Sequence, residues 1–186
     1  DTALIRWGPE PDGTVHTLPV HEYDLQHQSL RVRFDWARHA VVGSTTLRIA
    51  ALGQPVTDVP LNAVGMQIRR VSAPGSAPLK FDYDGEMLTV HLRRPLAARA
   101  TTSFTIDYEA LKPKKGAYFI DRNHYMWTQG ETEDNRDWSP TDEHPDDKTT
   151  GYISVITEPG ESTLSNAKLV SKRAVKGGTL WSRSQD

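Results

Sequence analysis

The sequence predicts an all-β fold, an antiparallel β-sandwich or curled, saddle-like sheets with hairpin connections and little helix, and three observations predict it. Apolar residues recur with a period of two, the runs are short and punctuated by Gly, Pro and Asp, and helical periodicity is hard to find. A chain of 186 residues is long enough to bury one sizeable core, so a single domain is expected.

Taken in order, Asp1 to Glu22 is rich in Pro, Gly and His and reads as an extended N-terminal segment, residues 1–22, ahead of a β-sandwich domain over residues 23–186. Leu30, Val32, Phe34 and Trp36 alternate and so point to one face of a half-buried strand, with Trp36 in phase as a core residue. Leu47 and Ile49 repeat the pattern after Gly43. Leu79, Phe81 and Tyr83 lead into Asp84-Gly85, from which Leu88, Val90 and Leu92 return, and Asp-Gly between alternating runs is a strong hairpin signal. Phe104, Ile106 and Tyr108 form a further strand, and Ile153 with Val155 another. A last hairpin pairs Leu169 to Val175 with Thr179 to Trp181 around Gly177-Gly178. One stretch breaks the pattern: Glu131 to Asp147 holds eight carboxylates in seventeen positions and is interrupted by Pro, which makes residues 131–148 an acidic loop.

Composition removes several functions. The formal charge of -2 gives no general attraction to a polyanion, so no nucleic-acid partner is expected, and no apolar run approaches the roughly 20 residues of a membrane span. With no Cys there is no disulfide framework, no thiolate metal site and no cysteine nucleophile. The eight carboxylates suggest calcium, but the Asp spacing and central Gly of an EF-hand are missing, and a solvated acidic loop fits better. Lys168, Lys172, Arg173, Lys176 and Arg183 make a basic hairpin that reads as a charged sheet edge. Trp7, Trp36, Trp127, Trp138 and Trp181 leave a sugar-binding face as a minor alternative.

Three motifs point further. Trp127-Thr128-Gln129-Gly130-Glu131, followed by Arg136, Pro140, Pro145 and Lys148-Thr149-Thr150, resembles the pattern T-Q-x-E, Arg, F-P, an aromatic with Asp, Pro and K-x-T that closes the N-terminal domain of the aminopeptidase N family of zinc metallopeptidases. Lys115-Gly116-Ala117-Tyr118-Phe119 resembles that family's K-G-x-Y strand, and Leu164-Ser165-Asn166 its L-S-N strand end. Tyr23 to Phe34 and Val42-Gly43 with Leu47 are similar, more loosely, to its opening strands. The three motifs come in the right order at the right spacing.

The resemblance implies a non-catalytic domain that, in the whole enzyme, caps the active site. Glu131 would hold the free α-ammonium of a peptide substrate and Gln129 would line the pocket for its first side chain. Zinc and its H-E-x-x-H helix would belong to a separate catalytic domain. No such motif is present here, since His21-Glu22 lacks its second His, so no metal or catalytic residue is expected in this chain. Without the motif, Glu131 would read only as an acidic residue near a short helix's N-terminus.

Departures from the family pattern cluster where the catalytic domain is expected to pack. Ser139 stands for Phe and Asp142 for an aromatic residue, Ala167 replaces a common Gly, and Glu143 replaces Asp. The first two suggest an excised domain whose cut face was made polar for solubility. The alternative is a free-standing binding module for peptide, protein or glycan. Compartment is left open, with export or the periplasm favoured over the cytoplasm.

Overall fold

The computed structural model describes residues 22–144 and 147–185, so the segment 1–22, apart from Glu22, lies outside the described residues, as do Trp7 and Pro145. The strands are β1 (Tyr23–Asp35), β2 (Ala40–Ala51), β3 (Val56–Asn62), β4 (Met66–Ser72), β5 (Lys80–Tyr83), β6 (Met87–Leu96), β7 (Thr101–Leu111), β8 (Ala117–Ile120), β9 (Tyr125–Thr128), β10 (Thr150–Thr157), β11 (Lys168–Val175) and β12 (Gly178–Gln185). They form a seven-stranded sheet in the order β11-β12-β10-β1-β2-β7-β4, a three-stranded sheet β3-β6-β5 and a two-stranded ribbon β8-β9. Among the described residues there is no α-helix, and the all-β expectation holds.

The hairpins arise where turn chemistry demands them. Asp84 Oδ1 accepts hydrogen bonds from the backbone N–H of Glu86 (2.9 Å) and Met87 (2.8 Å), while Gly85 takes φ 103°, and the turn so formed sets Tyr83 opposite Leu88. β11 and β12 pair as the Gly177-Gly178 signal predicts.

One pairing departs from the antiparallel expectation. β1 and β10 run parallel, in register from His27 opposite Thr150 to Arg33 opposite Ile156. The reason lies at the end of the acidic loop. Asp147 Oδ2 accepts from the Leu25 N–H at 2.8 Å, and Thr150 Oγ1 donates to the Gln26 carbonyl at 3.0 Å. These contacts deliver the chain to the beginning of β1, so β10 starts where β1 starts and runs the same way.

The core lies between the three-stranded sheet and the β1-β2-β7-β4 part of the large one. Leu47, Ile49, Phe104, Ile106 and Tyr108 from one layer meet Val59, Leu61, Leu88 and Val90 from the other, all fully buried. Each such aliphatic or aromatic side chain contributes roughly 1.5–3 kcal/mol by leaving water. Trp36, expected in this core, lies instead in the turn after β1 and is half-buried. Its ring stacks on His124 and meets Phe119 edge-on, because the strand ends at Asp35 and carries its side chain off the core face.

Two charged devices brace the sheets. Glu109 points away from the core, yet its carboxylate is only 3% exposed because the guanidinium groups of Arg38 and Arg69 both bond to it. The Arg38 hydrogen bond holds the Glu109 carboxyl below the usual carboxylate range, against the opposing effect of burial.

On β6, His91 Nδ1 meets Asp58 Oδ1 of β3 at 2.6 Å and Nε2 meets Asp82 Oδ2 of β5 at 2.9 Å, a geometry that asks for a proton on each nitrogen. These bonds, Asp58 first, raise the His91 pKa above its ordinary value. The stability this clamp supplies is therefore complete below pH about 6.5 and lost as pH rises through the higher folded value. Thermal melts at rising pH are expected to show Tm falling across that window, with a shallower fall in His91→Asn. Equal slopes in the two proteins would show that the clamp does not report on folding.

Candidate functional site

The motif residues build an arm on the rim of the domain. β8 pairs with β9 from Ala117 opposite Thr128 to Ile120 opposite Tyr125, and beyond β9 the Gln129 N–H donates to the Gly116 carbonyl at 2.9 Å. The chain then folds back. The Asp134 N–H donates to the Gly130 carbonyl at 3.3 Å, leading into the 3-10 turn Asp134–Asp137, and the Glu131–Thr132 peptide bond is cis.

Two glycines allow this reversal. Gly116 has φ 73°, and a Cβ there would collide with the Asp134 carbonyl oxygen and come within 2.7 Å of the buried Trp138 ring. At Gly130 a Cβ would overlap the Asn135 amide.

Arg136 fastens the arm. Its Nε donates to Glu143 Oε2 at 2.6 Å, its N–H to Glu143 Oε1 at 3.0 Å, and its Nη2 to Glu133 Oε2 at 2.7 Å. Glu143 thus grips both the backbone and the guanidinium of Arg136.

Gln129 and Glu131 are brought together on this arm, and both are exposed. Among the described residues neither side chain has a hydrogen-bond or ionic partner. A fixed backbone thus presents an amide and a solvated carboxylate outward. Beside the arm lies an open cleft of about 430 Å³, bounded by Thr128, Gly130 and Trp138 on one side and by Gln28 and Tyr152 on the other; neither Gln129 nor Glu131 lines it.

Ser139 corrects an expectation. It is buried, 2% exposed, so it was not made polar to face water. Gln28 of β1 reaches over it, donating to Thr45 Oγ1 (3.1 Å), the Pro140 carbonyl (3.2 Å) and Ser139 Oγ (3.4 Å), and accepting from Thr141 Oγ1 (3.3 Å). The hydroxyl of Tyr108, fully buried beneath, lies against Ser139 outside hydrogen-bond geometry, and burial raises its pKa. Asp142 is half-buried and caps the His144 N–H at 3.2 Å. Ser139 thus lies inside this domain, while Asp142 is tied to its own loop. Leu164-Ser165-Asn166, expected at a strand end, is irregular chain before β11, with Leu164 97% exposed.

The acidic loop proves less solvated than its composition suggests. Glu133 and Glu143 bind Arg136, Asp134 lies 3.6 Å from Lys115, and Asp147 accepts from Leu25. Among the described residues its carboxylates form no group of three close enough to hold an ion. In the basic hairpin, Lys172 sits over the Trp181 ring at 4.2 Å, and Arg183 donates to the Thr163 and Ala167 carbonyls. Of the described tryptophans, Trp138 and Trp181 are buried, and exposed Trp127 stacks on Tyr118.

The described residues form an all-β domain with the motif residues on an exposed arm. Residues 21–184 match the model of the Peptidase M1 N-terminal domain, and the chain belongs to that family. It is similar to the M1 zinc metallopeptidase from Deinococcus radiodurans, with 18% identity and a TM-score of 0.79 over 89% of this chain and 39% of that one. It is also similar to yeast LTA4 hydrolase, with 14% identity and a TM-score of 0.74 over 89% of this chain and 27% of that one. The chain thus spans about two fifths of the first relative's length. No curated protein sequence matches it. The Deinococcus relative is described as a zinc metallopeptidase, but the two histidines one helical turn apart that an H-E-x-x-H zinc centre needs are not present in this sequence, and the residues here do not fit that centre.

Proposed function

We propose that this domain works beside a zinc-bearing catalytic domain, caps its active-site cleft and anchors the free N-terminus of a peptide. Glu131 pairs with the substrate α-ammonium and Gln129 borders the pocket for the first side chain. The observation that carries this reading is the arm itself, its backbone pinned at Gly116, Gly130 and Arg136 while the two functional side chains stand outward without partners among the described residues. A carboxylate held at a fixed distance from a metal-bound nucleophile makes an enzyme count from the peptide's end, because position supplies the selectivity. The Deinococcus relative is described bound to a Tyr-Ser-Ala substrate and another similar M1 zinc metallopeptidase structure is described bound to L-arginine, and both ligands carry a free α-ammonium. Alone, the domain supplies position without chemistry.

In the chain joined to its catalytic domain, Glu131→Gln is expected to lower kcat/KM on an aminoacyl reporter by about 10- to 100-fold, the worth of one charge-assisted hydrogen bond. An N-acetylated substrate, which has no ammonium to hold, should be handled equally by both proteins. Unchanged kcat/KM on the free-amino substrate would remove Glu131 from the site.

A further inference from the structure

Three side chains that the proposed function does not use meet on the side of the domain where β8 turns into β9. His124 follows the 3-10 turn Asp121–Asn123, and its imidazole lies flat against Trp36, with ring centroids 4.1 Å apart. Facing it is the turn Glu158-Pro159-Gly160-Glu161 that leaves β10, closed by the Glu161 N–H on the Glu158 carbonyl at 3.3 Å with Gly160 at φ 90°. Glu161 uses Oε2 to accept the Glu158 N–H at 2.8 Å, which turns Oε1 towards His124 Nε2 at 3.3 Å. Glu158 Oε2 lies 3.7 Å from the same nitrogen.

His91 also has two carboxylates, but on opposite ring nitrogens, where a proton on each satisfies both. At His124 both carboxylates converge on one nitrogen. A single N–H there satisfies only one of them, whereas a cation bound by all three satisfies the whole group.

The spacing agrees with this. A tetrahedral ion with bonds of about 2.0–2.1 Å sets neighbouring donors about 3.3–3.5 Å apart, while a charge-assisted hydrogen bond draws them to about 2.8 Å. The Glu161 contact on Nε2, at 3.3 Å, falls at the first value, the Glu158 contact, at 3.7 Å, lies slightly beyond it, and all three donors lie within 4.8 Å of one another.

We propose that His124 Nε2, Glu158 and Glu161 form a site for a divalent first-row transition ion of the zinc class, with water in the remaining position. One imidazole and two carboxylates suit such an ion better than calcium, which takes six to eight oxygens. The residues are exposed or half-buried, so the ion enters directly from solvent. Bound there, it ties the β8-β9 turn to the turn after β10 and steadies the ribbon whose other end carries Gln129 and Glu131. The site stands whether or not that arm holds a substrate.

The test is calorimetric titration of the metal-stripped chain with zinc chloride, and of a second sample with Co²⁺ followed by visible absorption. One ion per chain is expected, with the intense visible band of four-coordinate cobalt. His124→Ala, and separately the near-isosteric Glu158→Gln/Glu161→Gln pair, should weaken binding about tenfold or more. His91→Ala and His16→Ala/His21→Ala should leave it unchanged. Absence of stoichiometric binding, or binding that survives in both His124→Ala and the double-Gln variant, would overturn the site. Circular dichroism of each variant confirms that it is folded before the affinities are compared.

Discussion

Gly116→Ala is expected to destabilise the domain by about 3 kcal/mol. At φ 73° a side chain costs about 1–2 kcal/mol through its clash with the following carbonyl. A second penalty comes from outside the residue, because the new methyl collides with the Asp134 carbonyl oxygen and crowds Trp138. Neither obstacle is the loose end of a flexible side chain: one is backbone of a turn and the other a buried indole. Overpacking of this kind costs about 1–3 kcal/mol. Gly177→Ala is the control, since Gly177 also has positive φ, 85°, but a Cβ there meets nothing within 4 Å. Urea unfolding should give a midpoint clearly lower for Gly116→Ala than for Gly177→Ala, and the near-ultraviolet signal of Trp138 should change only in the first. Equal losses would mean that the arm does not rest on Gly116.

How much of this was legible in the sequence depended on how far apart the interacting residues lie. Asp84-Gly85 and Gly177-Gly178 each fix a hairpin through turn chemistry, and both are found where the pattern puts them. The direction of β10 was not legible, because it is set by bonds from Asp147 and Thr150 to Leu25 and Gln26, more than a hundred residues away, and alternation is the same in parallel and antiparallel edges. Ser139 misled for a related reason. A small hydroxyl in a polar loop looks wet until Gln28 and Thr45 are seen to cover it. Glu109 is a further case of burial set by distant partners, since Arg38 and Arg69 both bond to its carboxylate.

Of the candidate site, the motifs contain Gln129, Glu131, Gly116 and Arg136, but that the last two pin the arm depends on the Asp134 carbonyl packed on Gly116 and on Glu143 meeting Arg136 in three dimensions. The His124, Glu158 and Glu161 group was missed altogether. Its one local signal is the Glu-Pro-Gly-Glu turn, which brings two carboxylates to one side, and the histidine that completes it comes from another ribbon.

The Arg136–Glu143 pair makes the reverse kind of claim, that removing one partner costs more than removing both. The Glu143 side chain is 5% exposed, and burial pushes its carboxyl above the usual carboxylate range while Arg136 pulls it partly back. Breaking a buried pair costs about 3–5 kcal/mol; with Arg136 27% exposed, screening reduces this, and Arg136→Met is expected to cost about 2 kcal/mol at neutral pH. Much of that loss is the stranded carboxylate, so Arg136→Met/Glu143→Gln should recover part of it. The pH dependence follows from the same cause. With the guanidinium gone the folded Glu143 pKa rises further above its unfolded value, the folded state binds the extra proton, and stability falls as pH rises through that interval. The penalty of Arg136→Met should therefore shrink on acidification, and the double variant, which has no carboxyl at this position, should show no such trend. If the single variant loses the same stability at acidic and neutral pH, the pair is held by packing of the arginine stem, and Glu143 contributes no buried charge to the arm.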